Sequence, residues 1–253
     1  LRLLRKERHR YQQGDLELKE AVTNISHDLR TPLTTISGYA SSLLSSDANF
    51  DESTRMQMYT DIYNDSQWLI KLVENLLAAT RIEDGRMNLR MNKELLGEIV
   101  EAALEHVNQE TNRITYDCQD EMLMVKADSR LLMQVIINLA DNAIKYSPSG
   151  SPICVSIRRD ADMAVVEVSD YGCGIADEEK QRVFEKFYRE SRKNNAADNR
   201  RSLGLGLYLC DAIVAAHGGS ISIKDNEPQG TVFSFSLPIE EVAIDESLSC
   251  FDC

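Results

Sequence analysis

Two long runs of apolar residues constrain what the first third of this chain can fold into. In the first run the apolar positions alternate spacings of three and four: Leu18, Val22, Ile25, Leu29, Leu33, Ile36, Ala40 and Leu43. The second run repeats that spacing, with two polar members: Tyr59, Ile62, Ser66, Leu69, Val73, Leu76 and Thr80. Because this spacing places one stripe of side chains along a helix, each run predicts a long helix with a packing seam.

The segment between the two runs, "SSDANFDES", is rich in turn residues, and Asp51 or Ser53 is a candidate N-cap for the second helix. Gly85 is a candidate C-cap at its other end. Two long helices with a short connection form an antiparallel hairpin. One hairpin cannot bury both stripes, whereas two chains can do so as a four-helix bundle, so we predict a homodimer.

A different pattern begins near residue 88. Helices are predicted at 93–109, 128–146, 177–184 and 204–216, and strands at 113–118, 122–127, 152–159, 163–170, 219–224 and 230–237. This mixture predicts one α/β sandwich domain. The predicted organisation is a helical linker at 1–14, the hairpin at 15–86, a hinge at 87–92, the α/β domain at 93–240 and an acidic tail at 241–253.

The charge of the chain bears on the kinds of molecule that it can bind. The net charge of −13 argues against nonspecific binding of nucleic acid. Residues 1–10 carry five basic side chains against one acid, which is typical either of a solvated helix start or of a juxtamembrane segment on the cytoplasmic side. The second alternative predicts a fragment of a longer, membrane-anchored receptor.

His27 lies in the stretch "NISHDLRTPL". It is two residues from both Ile25 and Leu29, and at about 100° per residue this places it opposite the apolar seam. An exposed imidazole is largely neutral at physiological pH, and a neighbouring carboxylate such as Asp28 can orient the ring and accept its proton. From these residues alone, an exposed polar face beside a helix kink at Pro32 explains the stretch equally well.

Four further motifs follow in the α/β region. Asn138 and Asn142 are four residues apart on a predicted helix, with Lys145 three further on. An amide oxygen can ligate Mg²⁺ and an ammonium can contact a phosphate. "DYGCGI" contains Asp170, whose carboxylate can accept a hydrogen bond from an exocyclic amine, together with two glycines. Each motif also has an ordinary explanation, as a polar helix face or a turn.

The third motif, "VFEKFYR", places Phe184 and Phe187 three residues apart, as core packing often does. The fourth, "SLGLGLYL", places Gly204 and Gly206 at the start of a predicted helix, where free N–H groups favour phosphate. It is neither a Walker A sequence nor a dinucleotide fingerprint, and a flexible helix start explains it as well.

Together these motifs resemble those of sensor histidine kinases. "SHDLRTPL" resembles their phosphoacceptor box, and the later motifs resemble, in order, the N, G1, F and G2 boxes of their catalytic domain. That domain is of the ATPase type shared with gyrase B, Hsp90 and MutL. The resemblance covers residues 15–238 and implies a dimeric four-helix bundle followed by an α/β sandwich that binds ATP and Mg²⁺. A looser resemblance points to the potassium- and turgor-sensing branch of this family.

The resemblance assigns a role to each matching residue of the hairpin. It implies that His27 is phosphorylated, that Asp28 is the acidic base beside it, and that Thr31 orients water when a partner is dephosphorylated. It further implies that the phosphoryl group passes to an aspartate of a response regulator.

In the α/β domain the resemblance implies a nucleotide site. Asn142 would coordinate Mg²⁺ on the phosphates with help from Asn138, and Asp170 would read the adenine amine. The remaining matches are Lys145 for a phosphate, Tyr146 near the adenine or ribose, Gly172 and Gly174 around the base, Phe187 and Arg189 in the lid, and Gly204, Leu205, Gly206 and Leu207 closing on the phosphates.

Asn138 and the end of the lid both affect which reaction the resemblance implies. Hydrolysing relatives carry a glutamate in the position of Asn138, and an amide cannot activate water, so the resemblance favours transfer to His27. The stretch "RRSLGLGL" departs from the usual end of the lid, and a non-catalytic nucleotide-binding scaffold is the alternative that it supports. His217, followed by Gly218 and Gly219, is predicted to be a structural or a solvent-exposed residue at a helix C-terminus.

Overall fold

The computed structural model describes residues 23, 26, 28–45, 50–85, 88–108, 113–188 and 204–240. Two compact units comprise residues 1–80 with 191–205, and residues 81–190 with 206–253. Two predicted site residues, His27 and Arg189, lie outside the described residues, as do the predicted linker 1–14 and the acidic tail. Within the described ranges, no helix combines the length and the apolar character that crossing a membrane requires.

The first unit contains helix α1 at residues 28–44 and residues 52–80 of helix α2, which runs over Glu52–Glu83. Asp51 is the N-cap of α2, because its Oδ1 accepts a hydrogen bond of 3.1 Å from the Thr54 N–H. Hydrogen bonds from Thr54 and Ser53 lower the pKa of Asp51. At the other end, Gly85 has a φ of +63° and donates its N–H to Ile82 O at 3.0 Å, which confirms the predicted C-cap.

The buried face of α2 is displaced by one residue from part of the predicted seam. Leu72 and Ala79 are buried, whereas the seam residues Tyr59 and Val73 are 54% and 48% exposed. Other seam members, such as Leu69 and Leu76, are half-buried. The apolar stripe is therefore wider than one seam, and part of it remains exposed on the single protomer.

The second unit is the α/β sandwich. Its helices are α3 (Leu96–Asn108), α4 (Ser129–Tyr146) and α5 (Gly206–Ala216), and its strands are β1 (Asn92–Leu95), β2 (Ile114–Cys118), β3 (Met124–Ala127), β4 (Ile153–Asp160), β5 (Met163–Ser169), β6 (Ser220–Asp225) and β7 (Thr231–Pro238). The main sheet has the order β2-β4-β5-β7-β6, with β2 and β4 parallel and the other pairs antiparallel. Strands β1 and β3 form a separate antiparallel pair.

The core lies on the face of the sheet that meets the helices. Alternate residues of each strand point into it, which is the period expected of a sheet covered on one face. The inward residues include Val155, Ile157, Val166, Val168, Phe233 and Phe235, and the apolar face of α4 supplies Leu132, Val135, Ile136 and Leu139. The sandwich that the sequence predicts is therefore confirmed.

Three predicted helices have different bounds in the structure. Residues 93–95, predicted as helix, belong to β1 because they pair with β3, and α3 begins only at Leu96. Residues 177–184 form turns and a single 3₁₀ helix at Arg182–Phe184, since their hydrogen bonds are mostly of the shorter i to i+3 type. The last helix begins at Gly206, because Gly204 has a φ of +67°, which a helix does not allow.

Candidate nucleotide-binding site

Helix α4 carries the first group of predicted site residues. Asp128 is its N-cap, and one carboxylate oxygen accepts a hydrogen bond of 3.4 Å from the Leu131 N–H. The other oxygen accepts a hydrogen bond of 3.0 Å from the Arg90 N–H, so the chain that enters the domain is fixed to this helix. Asn138 is buried and Asn142 and Lys145 are half-buried, four and three residues further along the same helix.

The amide of Asn138 lies against the start of α5. A Cβ added to Gly206 would lie 3.9 Å from Cγ of Asn138. The Asn138 amide nitrogen is buried and makes no well-formed hydrogen bond to any described residue. Burial raises the pKa of the nearby Cys210 thiol to about 12, and the proximity of the Asn138 side chain opposes this rise. The fold thus brings the predicted N and G2 motifs together.

Asp170 follows β5 and is 4% exposed. Its Oδ1 accepts a hydrogen bond of 2.7 Å from the Gly172 N–H, and its own N–H donates to Thr231 O at 2.9 Å. Burial raises the pKa of Asp170, and hydrogen bonds from the backbone of Gly172 and Thr231 oppose this rise. An ionised carboxylate has about four acceptor positions, so a fixed and oriented acceptor remains available to a ligand.

Gly172 brings the Asp170 loop against the end of α4. A Cβ at Gly172 would lie 2.6 Å from Tyr146 O and 2.8 Å from Oδ1 of Asp170, which only glycine avoids. Gly174 has a φ of +74°, a conformation that also favours glycine. The Lys145 ammonium lies 5.0 Å from the centre of the Tyr146 ring, and Tyr146 is 52% exposed.

The residues of the F and G2 motifs are buried to different extents. Phe184 and Phe187 are both half-buried, and Phe187 has a φ of +65°, which is strained for a residue with a Cβ. Leu205 is buried, whereas Leu207 in the first turn of α5 is half-buried. Of the predicted site residues, the structure therefore groups Asn138 with Gly206, and Tyr146 with Asp170 and Gly172.

Three residues near Asp170 do not appear among the predicted site residues. Thr231 accepts the Asp170 N–H, Asn226 donates to Asp170 O, and Gly230 lies directly beside that residue. The signal that could have indicated them is the stretch "NEPQGTV", a turn between two predicted strands. The glycine in this stretch indicates that another segment of the backbone approaches it closely, but the sequence does not identify that segment.

The donor set fits a purine nucleotide. It combines a buried carboxylate for an exocyclic amine, a glycine-lined approach beside that carboxylate, and a buried amide nitrogen without a well-formed hydrogen bond to a described residue. The described residues hold no group of three or more His, Cys, Asp or Glu that could bind a metal. An amide oxygen, such as that of Asn142, is a hard ligand that can bind a divalent ion together with phosphate oxygens.

Two family models match this chain. Residues 127–241 match the family described as histidine kinase-, DNA gyrase B- and HSP90-like ATPase, and residues 17–85 match the His Kinase A (phospho-acceptor) domain. These matches define the class as an ATP-using domain joined to a phospho-acceptor domain. The chain belongs to the sensor histidine kinases.

Relatives and solved structures give the same result. The chain is 37% identical to the sensor protein KdpD of Clostridium acetobutylicum over 86% of its own length and 24% of that protein, which agrees with the looser resemblance noted above. It is 31% identical to the sensor histidine kinase WalK of Bacillus subtilis, over 92% and 38% respectively. The structure of the histidine kinase AdeS of Acinetobacter baumannii matches with a TM-score of 0.64 at 25% identity, covering 85% of this chain and 98% of that one. The chain thus spans about a quarter to two fifths of these two relatives.

Proposed function

We propose that this chain is the catalytic core of a two-component sensor. It binds Mg·ATP in the α/β domain, phosphorylates His27 and passes the phosphoryl group to an aspartate of a response regulator. The observation that carries the proposal is the buried amide of Asn138 between α4 and the start of α5. An amide has no basic lone pair with which to activate water, so the γ-phosphoryl group requires a nucleophile from elsewhere in the protein.

In the proposed transfer, a lone pair of a His27 ring nitrogen forms the bond to the γ-phosphorus. The bond from that phosphorus to the bridging oxygen breaks, and ADP leaves with the electron pair. The Asp28 carboxylate takes the proton from the ring. Phosphoryl transfer of this kind depends mainly on positioning and on neutralising charge, which the Lys145 ammonium and a lid residue such as Arg189 would assist.

The proposed metal site uses the ligand itself. Mg²⁺ bound to the phosphates would neutralise their charge, and the amide oxygen of Asn142 on α4 would be one of its ligands. Asn138, one helical turn earlier, would orient a phosphate or a water through its amide. The adenine amine would donate to the Asp170 carboxylate, with Gly172 and Gly174 beside the base.

A second activity, removal of the phosphoryl group from the regulator, is favoured by Thr31. It is exposed and lies three residues from Asp28 on α1, close to the same helix face. Replacing it with alanine should abolish dephosphorylation of the regulator and spare autophosphorylation. Unchanged dephosphorylation by Thr31→Ala would rule this activity out.

We also propose a homodimer. Several apolar side chains of α2 are exposed on one protomer: Met56, Tyr59, Tyr63, Ile70, Val73 and Leu77. A second hairpin would cover such a stripe in a four-helix bundle. Anchoring of the parent protein in the bacterial inner membrane, with this part in the cytoplasm, stays a prediction.

Autophosphorylation with γ-labelled ATP tests the main proposal. Wild type should retain acid-labile, base-stable label, and both His27→Ala and Asn142→Ala should lose it. Label that persists on His27→Ala would refute the proposed acceptor. Mixing the two variants then separates transfer within one protomer from transfer across the dimer, since only the latter restores label.

A further inference from the structure

The turn between β6 and β7, residues 226–230, lies against the backbone of Asp170. Asn226 donates from Nδ2 to Asp170 O at 2.8 Å. Its Oδ1 accepts the Glu227 N–H at 3.0 Å, and its own N–H donates to Gly230 O at 3.1 Å. Every polar group of the Asn226 side chain is therefore used, either to close the turn or to hold Asp170.

Gly230 makes this approach sterically possible. It has a φ of +132°, and an added Cβ would overlap Asp170 O and lie 2.8 Å from Cα of Tyr171. The next residue, Thr231, accepts the Asp170 N–H. Both backbone polar groups of Asp170 are thus bound by the β6–β7 turn and the start of β7.

A second link joins β6 to the chain that follows the Asp170 loop. The Lys180 ammonium lies 2.6 Å from Asp177 Oδ1 and 2.7 Å from Asp225 Oδ2. The hydrogen bonds that Lys180 donates to Asp177 and Asp225 raise the pKa of Lys180. Asp225 is the last residue of β6, so the ion pair and Asn226 act at the same corner of the sheet.

We propose that Asn226 is a positioning residue for adenine recognition, acting through Asp170, with Lys180 restraining the following loop. The proposal rests on the proposed function, in which the Asp170 carboxylate accepts the 6-amino group of ATP. Because a buried acceptor left without a donor is costly, losing Asn226 should let Asp170 O turn toward another partner and carry the carboxylate with it. A displacement of this kind weakens only those interactions that the carboxylate makes.

Comparison of ATP with inosine triphosphate tests this mechanism. The inosine ring carries a carbonyl oxygen in place of the 6-amino group, so it cannot donate to Asp170. We expect Asn226→Ala to weaken ATP binding about three- to tenfold in titration calorimetry, which is the range for one hydrogen bond, and to leave binding of inosine triphosphate within about twofold. The ratio of the two affinities is unaffected by a partly unfolded sample.

Two further variants test whether the Asn226 donor causes the change in the ratio of ATP affinity to inosine triphosphate affinity. Asn226→Asp keeps the shape and the acceptor for the Glu227 N–H but cannot donate when ionised, so it should lower the ratio at least as much as alanine does. Glu227→Ala changes an exposed side chain in the same turn and should leave the ratio unchanged. Equal weakening of both nucleotides by Asn226→Ala, or no weakening of ATP, would overturn the inference. Failure of the wild type to bind ATP would instead refute the proposed function itself.

Discussion

The backbone N–H of Asp128 donates a hydrogen bond of 3.0 Å to Nε2 of His217. Nδ1 of the same ring lies 2.7 Å from Ile213 O, so we assign the proton to Nδ1 and a neutral ring. Both residues are buried, at 3% and 4% exposure. His217 thereby joins the C-terminal end of α5 to the N-cap of α4, which is the structural one of the two roles predicted from the sequence.

His217→Leu should lower the free energy of unfolding by about 1–3 kcal/mol, because it leaves the buried Asp128 N–H without an acceptor. Urea denaturation of the whole chain measures this. His217→Gln supplies a new acceptor and should therefore lower the free energy of unfolding by less than His217→Leu does. His106 on α3 is exposed, and His106→Leu should change stability by less than about 0.5 kcal/mol. Equal losses at the two histidines would contradict the bridging role.

Asp170→Asn should separate stability from nucleotide binding. The folded pKa of Asp170 is raised above 3.8, so its favourable contribution is present below that pH and is lost as the pH rises through the folded value. At neutral pH the desolvated carboxylate is therefore a cost that asparagine removes. We expect a melting temperature equal to or above that of wild type, together with loss of ATP binding. Asp162→Asn in the exposed β4–β5 turn is the control.

The same pKa shift predicts how ATP binding depends on pH. Protonation of Asp170 would remove the proposed acceptor for the adenine amine, so ATP affinity should fall as the pH is lowered through the raised pKa, at pH values above 3.8. Binding of inosine triphosphate, which makes no such hydrogen bond, should not show this component. A fall of the same size for both nucleotides would assign it to another group.

Gly230→Ala should destabilise the domain by more than about 3 kcal/mol, because a Cβ there overlaps Asp170 O and the backbone must move. Gly150 is a matched control, since it also has a positive φ, of +85°, but has open space around its Cα. Gly150→Ala should cost only about 1 kcal/mol of conformational strain. Guanidinium denaturation of both variants measures the loss in free energy of unfolding, and equal losses would refute the steric argument.

Thiol labelling provides a test of the nucleotide position that needs no substitution. Cys173, between Gly172 and Gly174, is exposed, as is Cys154 on β4. Cys210 is buried with a pKa of about 12, so it should react only after unfolding. Mass spectrometry of alkylated protein should find Cys173 protected by Mg·ATP and Cys154 unaffected. Equal protection of both thiols, or of neither, would contradict a nucleotide at this loop.

Features with a local cause were predictable from the sequence. Helix α4 was predicted at 128–146 and runs from Ser129 to Tyr146, because its apolar period and the cap Asp128 both act within a few residues. The order of strands and helices in the sandwich follows from similar patterns. The position of Asp170 beside Gly172 and Gly174 was also predictable, because these residues are nearly contiguous in the sequence.

Features created by pairing between distant segments were not predictable. Strand β1 is four residues long and exists because it pairs with β3, whereas its sequence favours continuation of α3. The bond from Asn226 to Asp170 O joins residues 56 apart through a main-chain acceptor, and a main-chain carbonyl carries no residue-specific signal. The buried face of α2 depends in the same way on what packs against it, which the spacing alone places only to within one residue.

The chain on either side of residues 189–203 is tied to the catalytic domain. On one side the Tyr188 hydroxyl donates to Glu179 Oε1 at 2.9 Å, and on the other α5 begins with Gly206 beside Asn138. Neither contact includes a residue of the segment 189–203. In evolutionary terms, the sequence between these two contacts can therefore change while the residues that make the contacts stay the same.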